Sequence, residues 1–151
     1  MKAIFPGSFD PFTTGHLDIA QRALQIFDIL LIAVGYNENK PGMWSFQERT
    51  DAIRNLFAGN TCVEVMSYTG LTVDFARKNG CRAIVRGVRD AADFAFEQRL
   101  AETNRHLAGM ETVLLSTRPE LSYVSSSMVR ELLHNGADAS EFIAWKTSPL
   151  K

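Results

Sequence analysis

The stretch "KAIFPGSFDPFTTGHLDIAQRAL" (residues 2–24) carries the handover from which the rest of the chain can be read. Residues 3–5, after Lys2, are a short apolar run. Pro6-Gly7-Ser8 then makes a tight turn, and a helical pattern begins at Gly15-His16, with Leu17, Ala20, Leu24 and Phe27 on one face. A strand that passes through a glycine-containing turn straight into a helix leaves unsatisfied amide N–H groups and the positive helix end pointing out of the sheet. Such a place suits a phosphate, and Gly15 lets a ligand come close to the backbone. His16 falls in the first helical turn, where a ring N–H can donate to a phosphoryl oxygen. Alone, a Gly-His pair is equally well a helix start with a capping threonine and an exposed histidine.

The same alternation repeats along the chain. "DILLIAVGY" is almost continuously apolar, as a strand covered on both faces is. After the loop "NENKPGMWS", Ser45 caps a helix with Glu48 at capping-box distance. "CVEVMSY" reads as a strand, "TVDFARKNG" as a short helix closed by Gly80, and "RAIVRGV" as a strand. The long helix "DAADFAFEQRLAETNRHLAG" ends at a glycine, "ETVLLS" is the last strand, and a helix follows "SYVSSS". Strand and helix in strict alternation predict a single-domain α/β fold, a five-stranded parallel sheet with helices on both faces. In such sheets ligands gather beyond the carboxyl ends of the strands, where the strand order reverses.

The bulk properties are those of a globular domain spanning residues 1–151, with a C-terminal tail from about residue 143. Apolar residues make up 46% of the chain and charged residues 22%. A net charge of −1 gives no overall field favouring nucleic acid or a membrane, so any anion site has to be built locally. Cys62 and Cys81 lie far apart with no Cys/His cluster, which argues against a structural metal or a disulfide framework. The first apolar run is too short for an export or membrane signal, and a cytoplasmic protein is expected.

Three further motifs fall at expected strand ends. Lys40 sits in the loop after the second strand, where Pro41 and Gly42 suit a loop that folds down on a ligand. In "VRGVRD", Arg86 ends a strand and Arg89 begins a helix, and two permanently charged guanidinium forks around a glycine suit phosphate. They suit surface bridges to Asp90, Asp93 or Glu97 as well. "YVSSSMVRE" offers capping hydroxyls and N–H donors with Arg130 one turn on, although serine-rich caps are common. Together the motifs describe a donor-rich pocket for a polyanion.

No P-loop, no G-x-G-x-x-G, no nucleophile elbow and no acid/base pair of carboxylates occurs in the sequence. His106 and His134 fall in helices away from the strand ends. A site with cationic and neutral donors but no general base fits transfer of a phosphoryl-type group, where positioning and charge stabilisation carry the catalysis. If the nucleophile is itself a phosphate monoester, with a second pKa of about 6, it arrives ionised and needs no base. The sequence therefore points to nucleotidyl transfer from a nucleoside triphosphate to a phosphorylated acceptor.

"TTGH" and "SSSMVR" resemble the paired (H/T)-x-G-H and S-S-[ST]-x-x-R signatures of the nucleotidyltransferase superfamily. With "FPGSFDPFTTGH", "VRGVRDAADFAFE", "NRHL" and "SYVSSSMVRELL", the chain resembles the bacterial phosphopantetheine adenylyltransferases over about residues 2–142. The resemblance implies a Rossmann-like fold and the reaction of ATP with 4′-phosphopantetheine, giving dephospho-coenzyme A and pyrophosphate with Mg²⁺. It implies His16 as transition-state stabiliser and Lys40 and Arg86 as the groups holding the acceptor phosphate. Ser8 would touch both substrates, and Thr72 would line the pantetheine channel. ATP would be held by Ser8, Phe9, His16, Gly87, Val88, Arg89 and Glu97. The run Leu121, Ser122, Tyr123, Val124, Ser125, Ser126 and Ser127, with Arg130, would complete that site. No protein metal ligand is implied. Family members are typically homohexamers, and many are inhibited by coenzyme A. The chain departs from the usual pattern at Ser8 for threonine, at Ala95 and Phe96, and at Gly70 and Thr72. The rival reading from another class is a nucleotide-binding sensor domain without turnover.

Overall fold

The apolar runs that alternate faces become strands, and their alternation places the two halves of the core. The computed structural model describes residues 1–145. Its elements run β1 (Lys2–Gly7), α1 (Thr14–Ala23), β2 (Ile29–Gly35), α2 (Phe46–Leu56), β3 (Val63–Tyr68) and α3 (Thr72–Lys78). They continue with β4 (Ala83–Val88), α4 (Ala91–Ala108), β5 (Glu111–Ser116) and α5 (Ser126–His134). The five strands are all parallel, in the order β3-β2-β1-β4-β5. On one face Ala3, Phe5, Leu30, Ile32 and Val85 pack with Ile19 and Ala23 of α1 and Ile53 of α2. On the other, Ile4, Leu31, Ala33 and Ile84 pack with Val73 and Ala76 of α3. Covered on both sides, β2 needs the unbroken apolar run that its sequence shows.

Helix ends follow their side chains. Ser45 and Glu48 form the expected capping box of α2, Asp90 caps α4, and Gly109 ends α4 at φ 62°. α1 stops earlier than its apolar spacing suggests. Beyond Ala23 the chain tightens into i→i−3 bonds from Gln25 and Ile26, so Phe27 reaches the core from a turn. Residues 143–145, expected within the C-terminal tail, are packed on the domain: Ile143 bridges Thr13 and Ala144 N donates to the Phe12 carbonyl at 3.0 Å. Trp145 is buried edge-on to Trp44, while residues 146–151 lie outside the described part.

The sheet opens where its order reverses. β1 pairs with β2 along its whole length, from Lys2 to Gly7, but with β4 only at Ala3 and Ile4. Pro6 has no N–H with which to continue a ladder towards β4. Its carbonyl instead accepts from Nη1 of Arg86 at 2.8 Å, so a side chain spans the gap that the backbones leave.

Candidate active site

That gap is the floor of two connected depressions. The smaller, about 430 Å³, lies over the N-terminal ends of α1 and α5 and includes Ser8, His16, Arg86, Gly87 and Arg89. The larger, about 1320 Å³, extends over the carboxyl ends of β2 and β3 and takes in Lys40 and Thr72. Ser8, Arg86, Glu97 and Arg130 belong to both.

His16 is oriented by the helix that it starts. Thr13 caps α1, and the His16 side chain takes the place that Glu or Gln holds in an ordinary capping box. Nδ1 of His16 accepts the Thr13 backbone N–H at 2.9 Å. An amide can only donate, so Nδ1 carries no proton and the ring proton sits on Nε2. Phe9 and Phe12 hold the ring, with centroids 5.0 and 5.4 Å away. Burial first, and then the positive charges of Arg86 and Arg89, lower the His16 pKa from 6.5 to about 3. The imidazole is therefore a neutral donor at working pH, neither a general base nor a cation.

Arg86 and Arg89 line the crevice, and each is paired with a carboxylate of α4. Arg86 donates to Glu97 through Nε at 2.9 Å and Nη2 at 2.7 Å, while Arg89 Nε reaches Asp93 at 3.0 Å. Glu97 is the one buried residue of α4, and its carboxylate holds the Arg86 fork in a fixed plane. A guanidinium has five N–H groups. Glu97 and Pro6 take three of those on Arg86, leaving one on each Nη.

The serine-rich motif forms the opposite wall. Ser125 caps α5 through the Met128 N–H, and Ser126 Oγ donates to the Pro11 carbonyl at 2.8 Å, tying the two signatures together. Val124, Ser125, Ser126 and Ser127 face the smaller crevice, as does Phe9, whose buried ring supports His16. Val88, Leu121, Ser122 and Tyr123 are not among its walls. Val88 ends β4, and Leu121 to Tyr123 run through and beyond a 3-10 turn (Pro119–Leu121) that leaves Tyr123 exposed beside Phe142.

In the larger depression Lys40 stands on a turn closed by its own N–H to the Asn37 carbonyl at 3.0 Å. The Thr72 hydroxyl is engaged with that of Tyr68 at 2.8 Å. Several lining residues escaped the sequence reading. His134, expected away from the strand ends, lines this depression because it follows Arg130 by one turn on the same face of α5. Leu100, Ala101 and Asn104 form a row along α4 with Glu97, and that helical spacing was the available signal. Asp10 and Arg49 carried no signal beyond their charge. Both are buried, and Arg49 donates to the carbonyls of Trp44, Ser8 and Gly35. Among the described residues no group of three His, Cys, Asp or Glu side chains could hold a metal, and no helix is long and apolar enough to cross a membrane.

Residues 4–132 match the cytidylyltransferase-like family. The phosphopantetheine adenylyltransferase of Bacteroides thetaiotaomicron is 51% identical over 142 residues, covering 94% of both chains. That of Porphyromonas gingivalis is 50% identical over 141 residues, covering 93% of this chain and 92% of the relative. Among solved structures, a bifunctional NMN adenylyltransferase/ADP ribose pyrophosphatase from Francisella tularensis superposes with a TM-score of 0.70 at 20% identity, a likeness of fold. The match covers 98% of this chain and 46% of that longer one.

Proposed function

Because the chain belongs to the phosphopantetheine adenylyltransferase family of nucleotidyltransferases, we propose that it joins the α-phosphate of ATP to 4′-phosphopantetheine, giving dephospho-coenzyme A and pyrophosphate. The observation that carries this reading is the shared wall. One depression offers helix N-termini and the His16 donor, the other offers Lys40 and a volume of about 1320 Å³, and Ser8, Arg86 and Arg130 line both. Two phosphates can be brought together at such a wall.

The triphosphate lies over the N-terminal ends of α1 and α5, with Arg89 and the Ser125–Ser127 segment alongside. The acceptor phosphate is held by Lys40 and by the free N–H groups of Arg86, with the pantetheine arm running past Thr72. One oxygen of the acceptor phosphate attacks the α-phosphorus in line. The new P–O bond forms as the α–β bridge bond breaks, and pyrophosphate leaves with the electron pair. No proton has to be removed from an ionised phosphate. The Nε2–H of His16 donates to an α-phosphoryl oxygen, most strongly as charge shifts in the transition state. There is no covalent enzyme intermediate.

Among the described residues no group of three His, Cys, Asp or Glu side chains offers Mg²⁺ a cage. Glu97 and Asp93, the carboxylates that line the smaller crevice, are both committed to arginines. The ion is proposed to enter on the triphosphate with its own waters, and no step above runs through it. A homohexamer and feedback inhibition by coenzyme A remain part of the proposal; exposed Phe94 and Phe96 on α4 are apolar surface that an assembly of copies would cover, and the larger depression, about 1320 Å³, has room for coenzyme A.

The test is direct. The purified protein with ATP, Mg²⁺ and 4′-phosphopantetheine should release pyrophosphate and form a product of dephospho-coenzyme A mass. Inactivity with this acceptor beside turnover of nicotinamide mononucleotide would transfer the assignment to that acceptor. ATP binding without turnover of either would favour a sensor domain.

A further inference from the structure

The turn before α1 contains a carboxylate, Asp10, that plays no part in the proposed chemistry. Asp10 is 7% exposed and makes no ion pair within 4 Å among the described residues, although Arg49 lies near enough to feel its charge. Its two oxygens accept backbone N–H groups of the loop that returns from Lys40, Oδ2 from Met43 at 2.8 Å and Oδ1 from Trp44 at 3.0 Å. Gly42 passes so close that an added Cβ would lie 2.6 Å from Oδ2. The Asp10 peptide is itself fixed, since its carbonyl accepts from Arg130 Nη1 at 2.7 Å. Arg49, 4% exposed, clamps the same junction through the carbonyls of Trp44 and Ser8.

The loop between β2 and α2 is thereby pinned at its base. Its tip is a tight turn, in which Asn37 accepts from Asn39 and Lys40, and Lys40 stands three residues before the first pinned amide. We propose that Asp10 is the positioning residue of Lys40, tying the lysine loop to the segment that carries His16 so that the acceptor phosphate is gripped at a fixed distance from the donor. A carboxylate does this better than a neutral side chain, because it accepts two adjacent N–H groups with charge-assisted bonds. Gly42 is required because any side chain would push the loop off its anchor. The inference rests on the reading of Lys40 as the cation for the acceptor phosphate.

The experiment is a mutant cycle on the full chain, measuring kcat and the Michaelis constants for both substrates. Asp10→Asn turns one acceptor into a donor facing a donor. It should raise the phosphopantetheine Michaelis constant about tenfold, the order of one lost hydrogen bond, and change that for ATP less than about twofold. In a Lys40→Ala background the same change should have almost no effect, because its consequence has already been removed. Gly42→Ala disturbs the contact from the loop side, should show the same pattern, and decides the matter if Asp10→Asn does not fold. Equal effects with and without Lys40, or an equal rise in the Michaelis constant for ATP, would overturn the proposal. So would failure of both variants to fold, which would make Asp10 a stability residue. An inactive wild type would instead remove the adenylyl-transfer reading, whereas an active wild type with additive mutations would remove only the role of Asp10.

Discussion

His16 does two jobs with its two nitrogens, and substitutions can separate them. His16→Ala removes both the Nε2–H aimed at the phosphoryl group and the Nδ1 that satisfies the Thr13 amide. Losing one donor to a developing charge lowers kcat by about 10²–10³, or roughly 2.7–4 kcal/mol. Leaving the cap amide without its partner costs a further ~1 kcal/mol of stability. His16→Asn restores an acceptor where Nδ1 stood but supplies nothing at Nε2. The two variants should therefore share the loss of kcat, with little change in ATP affinity, while only the alanine variant loses the capping contribution in denaturant titration. The pH profile adds a second reading. With its pKa at about 3, His16 contributes no limb between about pH 5 and 9. The acidic limb near about pH 6 belongs to the acceptor phosphate, so it should persist in His16→Asn. Pyrophosphate release under single-turnover conditions measures both. Unaltered kcat in either variant, or loss of the limb with His16, would refute the reasoning.

Stability should also depend on His16. Its folded pKa lies below the unfolded value of 6.5, so its contribution is complete above 6.5 and fades as pH falls from there towards 3, by about 1.4 kcal/mol per pH unit. His16→Asn should flatten this slope in unfolding titrations across that window. Arg86→Ala leaves the buried Glu97 carboxylate without its partner, so about 3 kcal/mol of stability should go with the weakened acceptor binding. Arg86→Ala/Glu97→Ala together should recover part of that stability but not the acceptor binding. Ser45→Ala breaks the capping box of α2 and should cost ~1 kcal/mol in urea unfolding without changing turnover.

The fold was legible because the strands are short apolar runs, of which β1 and β2 are buried along their interiors, and because helices start at Ser45 or Asp90 and end at Gly80 or Gly109. The end of α1 was not, since Leu24 and Phe27 keep helical spacing while reaching the core from a turn. Trp145 looked like part of a tail because a lone tryptophan does not announce that another, Trp44, awaits it. At the site, the motif residues were visible by their unusual types at strand ends. Their couplings were not. Nothing in spacing distinguishes Glu97 as the partner of Arg86 from Asp90 or Asp93, and only the opening between β1 and β4 brings Pro6, Arg86 and Glu97 together. Asp10 and Arg49 remained invisible for the same reason, since their partners are backbone groups that have no sequence identity.

The most direct test of the account is the stereochemical course at phosphorus. With ATP made chiral at the α-phosphorus by sulfur substitution, and 4′-phosphopantetheine as acceptor, a single in-line displacement across the wall formed by Ser8, Arg86 and Arg130 predicts inversion. Retention of configuration would require two displacements through a covalent adenylyl-enzyme and would contradict the claim that the two phosphates meet directly.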